Sequence, residues 1–236
     1  MLEVRNIAFS YNRKKVLRDV SFVASPGEVV TIVGANGAGK TTLMRILATL
    51  QLPDSGTVMM DGVDALARPL RYRRQLGYLP ERIALYDDMT VREYLRYRAE
   101  LQGEPAKRVR RRVSEAVELC QVSAFLNAPL ARLSAGYRKR VALADALLLR
   151  PRVLLLDDFL AGLDGDMRRS AGEILSGAAA FSSVIVSGHD IDDLMRWSTR
   201  FLVPRDGVIT ASISALGTDP ADLRTRIDAA LEGGVA

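Results

Sequence analysis

The stretch GANGAGKT at residues 34–41 constrains this chain more than any other, because it satisfies G-x-x-x-x-G-K-[ST] between an apolar run, VVTIV, and a helix-like one, TTLMRILATL. A strand that ends in such a turn and hands over to a helix builds a cradle for phosphate. Gly34, Gly37 and Gly39 let the backbone turn its N–H groups inward at dihedrals that a side chain would obstruct. The helix that follows presents unpaired N–H groups and the positive end of its dipole. Lys40 supplies a point charge for the β- and γ-phosphates, and the Thr41 hydroxyl can ligate Mg²⁺. Asn36, Ala38 and Thr42 complete the candidate contacts of the turn. The metal needs a second ligand, and Asp157 ends the apolar run VLLLD far downstream.

Around the cradle the chain alternates between strand and helix signals. LEVRNIAFSY, VVTIVGA and GTVMMDG read as strands, the first and last partly alternating and bounded by turn residues. From about residue 88 to 150 the pattern turns helical, and TVREYLRYRAELQG opens on Thr90 as an N-cap and closes on Gly103. Beside KRVRRR at 107–112, Val109, Val113, Ala116, Val117 and Cys120 fall at helical spacing, so the arginines form the wet face of an amphipathic helix. VLLLD and VIVSG, separated by a helix-like stretch from 164 to about 179, suit parallel strands covered on both faces. This order argues for an α/β core with a helical lobe inserted in it. At the tail, Asp219 and Pro220 form a cap and first-turn pair, with Leu223, Ile227 and Leu231 on one face of a helix.

Composition narrows the functional classes. A chain of 236 residues, 48% hydrophobic and 26% charged, has the make-up of an ordinary globular protein of one large domain, or one with an inserted lobe. One cysteine, Cys120, excludes an intrachain disulfide and points to a reducing cytoplasm. MLEVRNIAFSY shows no basic-then-apolar leader, and no run reaches the roughly eighteen apolar residues of a membrane span. The net charge of +5 rests mostly on arginine, clustered in RPLRYRR (68–74) and KRVRRR. A solvated face accounts for these clusters better than nucleic-acid binding does, with weak attraction to an anionic membrane surface left open.

The segment LARLSAGYRKRVALADALLLRPRVLLLDD (130–158) resembles the signature region of ATP-binding cassette ATPases, in which L-S-G-G-Q opens a helix leading into the Walker B strand. Here two of the five positions differ, in Leu133-Ser134-Ala135-Gly136-Tyr137. Other landmarks fall in the family's order. Tyr11 matches the aromatic that stacks on adenine, with Val16 beside it; GYLPE (77–81) is similar to the Q-loop, with Glu81 in place of Gln; AGLD (161–164) is similar to the D-loop and ends on Asp164. VIVSGHD (184–190) puts His189, the chain's one histidine, at the switch position. The resemblance covers roughly residues 1–215. ALYDDMTVREYLRYRAELQG and Glu81 are most similar to ATPase subunits of ABC-2-type exporters.

That resemblance implies a P-loop NTPase (RecA-like) core with a parallel sheet, an N-terminal antiparallel β subdomain and an inserted helical subdomain at about 85–150. The cassette would span 1–216, followed by a helical tail at 217–236. It implies ATP and Mg²⁺ as ligands, with Thr41, Asp157 and Glu81 on the metal. It further implies a head-to-tail homodimer, or a heterodimer with another cassette, each nucleotide capped by the other subunit's Ser134 and Gly136. Closure would drive export through separate ABC-2-type permease subunits, with the chain cytoplasmic and peripheral on the inner face of the cell membrane. Where the family has its catalytic Glu, this chain has Asp158, one methylene shorter, followed by Phe159. A carboxylate withdrawn by about 1 Å can lose around a hundredfold in rate. Three readings follow: a slow base, a degenerate ATP-binding half of a cassette pair, or closure as the function with hydrolysis as a slow reset. Binding with slow hydrolysis is preferred. A soluble nucleic-acid-remodelling cassette is disfavoured, because neither a second cassette nor a coiled-coil insertion is present, and a GTPase is disfavoured because no N-K-x-D motif occurs.

Overall fold

Alternation on both faces of a central sheet is what the apolar runs build. The computed structural model describes residues 1–163 and 165–233. In chain order the elements are β1 (Leu2–Tyr11), β2 (Lys14–Ala24), β3 (Val29–Val33), α1 (Lys40–Leu47), β4 (Ser55–Met60), β5 (Val63–Asp64), α2 (Pro69–Arg73), β6 (Leu76–Leu79), α3 (Val91–Leu101), α4 (Ala106–Leu119), α5 (Ala135–Leu147), β7 (Val153–Leu156), α6 (Gly165–Ala179), β8 (Ser183–Gly188), α7 (Ile191–Met195), β9 (Arg200–Arg205), β10 (Val208–Ser214) and α8 (Pro220–Glu232). The strands form one sheet in the order β5-β4-β1-β2-β10-β9-β3-β8-β7-β6. β1 pairs antiparallel with β2 and β4, while β3, β6, β7 and β8 run parallel and β3 also pairs parallel with β9. The two regimes meet where β10 touches β2, in a parallel pairing at Val208 and Asp19.

The expected α/β architecture is therefore present, and its physical basis is visible in β3, β7 and β8. Val30, Ile32, Val153, Leu155 and Ile185 enter one core together with Leu43, Met44 and Leu47 of α1. Val29, Val33, Leu154, Leu156, Val184 and Val186 enter the other, against Leu95, Leu143, Leu175 and Ile227 from the helices. Both faces are dry, as a period of two in fully apolar strands requires. The inferred helix punctuation also holds. Thr90 and Glu93 form a reciprocal capping box at α3, and Asp219 accepts from the first-turn N–H groups of α8. Val109, Val113, Ala116 and Val117 face inward from α4, and the Cys120 thiol behind them is fully buried.

Five strands lie where the sequence reading named none: β2, β5, β6, β9 and β10. In β2 the buried positions Leu17, Val20, Phe22 and Ala24 are interleaved with Lys14, Lys15, Arg18 and Asp19 on the wet side, so its opening reads as a charged turn. Among the described residues no helix is long and apolar enough to cross a membrane.

Candidate functional site

β3, buried between β8 and β9, ends where the glycine-rich turn begins. Gly37 and Gly39 adopt φ of 84° and 91°, which an L side chain resists, and a Cβ at Gly39 would lie 2.8 Å from Leu17 Cδ2. Gly39 precedes α1 with no side-chain cap and no acid in the first turn, so the first N–H groups of the helix are left for a ligand. Lys40 Nζ donates to the carbonyls of Gly34 (2.6 Å) and Ala35 (3.0 Å) within its own turn. Burial lowers its pKa, and the charges of Asp158 and Asp157 oppose that shift.

The parallel strands β7 and β8 deliver the acids. Asp157 follows β7 and is 1% exposed; its Oδ1 accepts from Ser187 Oγ at 2.6 Å and from Thr41 Oγ1 at 3.3 Å. Its Oδ2 is buried without a partner among the described residues. Burial raises the pKa of this carboxyl, the two hydroxyl donors pull it back, and Glu81 and Asp158 add to the rise. A buried carboxylate oxygen with no donor, beside a threonine hydroxyl, is an oxygen pair suited to a hard divalent cation. The residues thus fit Mg²⁺, with Thr41 and Asp157 as the groups that would hold it. Asp158 sits at φ 47°, a left-handed conformation that Asp tolerates better than most residues. Its N–H donates to Ser187 Oγ at 3.0 Å, and its Oδ1 lies 3.3 Å from His189 Nδ1.

One cavity of about 360 Å³ gathers Tyr11, Val16, Asn36, Gly37, Gly39, Lys40, Thr41, Thr42, Glu81, Asp157, Asp158 and His189. Tyr11 is 42% exposed, and its ring stands nearly perpendicular to that of Phe9. Gly34 lies beneath the turn, where a Cβ would meet the Pro204 carbonyl oxygen at 3.2 Å, and Ala38 lines a neighbouring cavity with Lys14, Lys15 and Arg18. Ser134 and Gly136 do not line the cavity. Ser134 caps α5 from an exposed position, whereas Gly136 is buried, its Cβ direction filled by Met167 Sδ. Asp164 lies outside the described residues.

Sequence reasoning missed two residues of this region. Ser187 touches both acids and sits inside the VIVSGHD stretch, so a hydroxyl ending a buried strand was the available signal. Lys139, 6% exposed, donates from Nζ to the carbonyls of Asp158 (3.1 Å) and Ala161 (2.8 Å). Its signal was position: with Gly136 and Leu143 it falls on the buried stripe of α5, where a lysine needs partners.

A glycine turn between a buried parallel strand and a helix, facing a buried Asp at the end of the next strand but one, defines a P-loop nucleotide-binding protein. Residues 17–161 match the family model described as ABC transporter, and the chain belongs to that family. It is 34% identical over 212 residues to the spermidine/putrescine import ATP-binding protein PotA of Spiroplasma citri, covering 89% of this chain and 60% of that protein. It is 37% identical over 216 residues to the sulfate/thiosulfate import ATP-binding protein CysA of Methylococcus capsulatus, covering 88% and 61%. The chain thus spans about 60% of the length of these curated relatives, and both names describe import. Among solved structures, the "ATP binding subunit of ABC transporter" superposes with a TM-score of 0.84 at 27% identity over 97% of this chain and 99% of that one. The fold alone is shared with the dimeric bacterial ABC transporter cassette MJ0796, at a TM-score of 0.81 and 24% identity over 92% of this chain and all of that one.

Proposed function

We propose that this chain is the energising subunit of an ABC transporter that binds Mg·ATP in the cavity between the glycine turn and Asp157, and hydrolyses it slowly. The observation that carries this reading is the unpartnered Oδ2 of Asp157, held beside Thr41 opposite Lys40. The turn's N–H groups and the first turn of α1 bind phosphate oxygens, and Lys40 leaves its own carbonyls to reach them. Tyr11 stacks on adenine, with Val16 beside it. Mg²⁺, when bound, neutralises charge on the phosphates; Glu81 would join Thr41 and Asp157 near it. Asp158 accepts the proton of the attacking water, and His189 holds the Asp158 carboxylate from the open side of the cavity. Slow turnover is expected from the short side chain of Asp158.

Ser134 and Gly136 stand apart from the cavity, which supports their serving the nucleotide of a second cassette, identical or different, in a head-to-tail pair. The cassette spans 1–216 with residues 85–150 as its helical insert, and 217–236 form a tail. Separate permease subunits hold it at the inner membrane face. The import names of the relatives favour inward transport over the ABC-2-type export suggested by Glu81 and the stretch ALYDDMTVREYLRYRAELQG.

Asp158→Glu tests the shortened base. Restored reach is expected to raise steady-state phosphate release by tenfold or more, with ATP affinity unchanged. A rate that stays level or falls would mean that the loop is built around Asp.

A further inference from the structure

We propose that Lys139 is a positioning residue that clamps Asp158 in its working orientation and ties that orientation to the placement of α5. The proposal rests on the cavity being a hydrolytic site. Asp158 occupies a left-handed backbone conformation at φ 47°. For a residue with a Cβ such a conformation persists where its surroundings over-determine it. Both peptide groups flanking the Asp158 Cα are held. On the N-terminal side, the N–H donates to Ser187 Oγ at the end of β8. On the C-terminal side, the carbonyl accepts from Lys139 Nζ at 3.1 Å.

The same ammonium reaches the Ala161 carbonyl at 2.8 Å, and the Ala161 N–H closes back on the Asp158 carbonyl at 3.2 Å. Lys139 therefore fastens both ends of the turn that carries Asp158 away from β7, with its Nζ 5.9 Å from the centre of the buried Phe159 ring. Burying an ammonium is expensive, and a methionine of similar length would fill the space without that cost. The carbonyls it serves are what the charge secures.

The clamp also has a geometry. Its two anchors come from different places: Ser187 from the parallel sheet that carries the glycine turn, Lys139 from the helix that Ser134 caps. Lys139 lies about 7.5 Å along the helix axis from Ser134, at a rise of about 1.5 Å per residue. A shift of α5 relative to β7 and β8 would drag one side of Asp158 while Ser187 holds the other. Contact made at the exposed start of α5 would thus be felt at the acid of this chain's own cavity.

The test compares Lys139→Met with Lys139→Arg, which keeps the charge and the donors. Hydrogen exchange of the 158–163 amides, measured without nucleotide, is expected to rise tenfold or more in Lys139→Met and to return to within about threefold of wild type in Lys139→Arg. Phosphate release should show kcat lowered by tenfold or more with KM for ATP within about twofold. In an Asp158→Ala background, Lys139→Met should lower kcat no further. Should the methionine variant not fold, Lys139→Gln takes its place, with a smaller effect of the same sign. Unchanged exchange at 158–163, or an equal loss of rate with and without Asp158, overturns the clamp. Wild-type protein that takes up no Mg·ATP would instead sink the proposed function, and that failure is read on a separate measurement.

Discussion

Asp157 shows what a single side chain stores in this site. Burial raises its pKa above the ordinary carboxylate value, so the fold disfavours the charged form relative to the unfolded chain. For such a group the stability contribution is full below the unfolded pKa and lost as pH rises through the higher native one. At neutral pH the ionised Asp157 is therefore a cost to the nucleotide-free protein. Asp157→Asn is expected to raise the thermal midpoint of nucleotide-free protein at pH 7, by roughly 2–4 °C for each kcal/mol of relief, and to remove any further rise on adding Mg²⁺ with ATP. A lower midpoint without nucleotide, in a scanning-fluorimetry melt, would contradict this. Legibility at this scale followed chain distance. Gly37, Gly39, Lys40 and Thr41 declare themselves because the turn is local. The partners of Lys139 and Ser187 lie 19 to 30 residues away, and nothing in the chain spells out such a bond.

Elements in this fold are placed by close approaches as much as by apolar stripes. Gly77 on β6 lies against the end of α5: a Cβ there would stand 2.2 Å from the Ala146 carbonyl oxygen and 2.9 Å from Leu154 Cδ1. Gly77→Ala forces the helix away from the strand, and overpacking of this kind costs about 1–3 kcal/mol. We expect a lower midpoint in chemical denaturation, and lower turnover as α5 carries Lys139 with it. A fully stable variant would mean that β6 and α5 can separate freely. The helices α3, α4 and α8 were legible because caps and 3.6-residue stripes are written within one element. β2 and β10 were not, although each pairs antiparallel with the strand just before it, β1 and β9, because exposed charged residues in β2 and exposed Thr and Ser in β10 leave few buried positions to mark a strand. The antiparallel region also carries register shifts within β1, which break the simple alternation a reader looks for.

At the scale of the molecule, one sheet runs from β5 through to β6, and the glycine turn sits on a central strand of it. Ligand grip there should be felt as global stability. At a hundredfold excess of Mg·ATP over its dissociation constant, binding adds about 2.7 kcal/mol, or roughly 5–10 °C in the midpoint of a chain this size. Lys40→Met is expected to abolish that shift while leaving the ligand-free melt near its native value; retention of the shift would place the triphosphate elsewhere. The doubly covered sheet could be read from the chain because runs such as VLLLD leave no wet face. The proposed pairing with a second cassette rests on the family resemblance and not on a pattern in the chain, because Ser134 finds only local partners within one chain.

The solitary thiol of Cys120 is walled off behind α4, and burial pushes its ionisation far above the usual range. A maleimide dye therefore meets nothing reactive on the native surface. A cysteine introduced at the open Ser134 position would be the one handle that takes the label, and the meeting of two such copies could be followed by light.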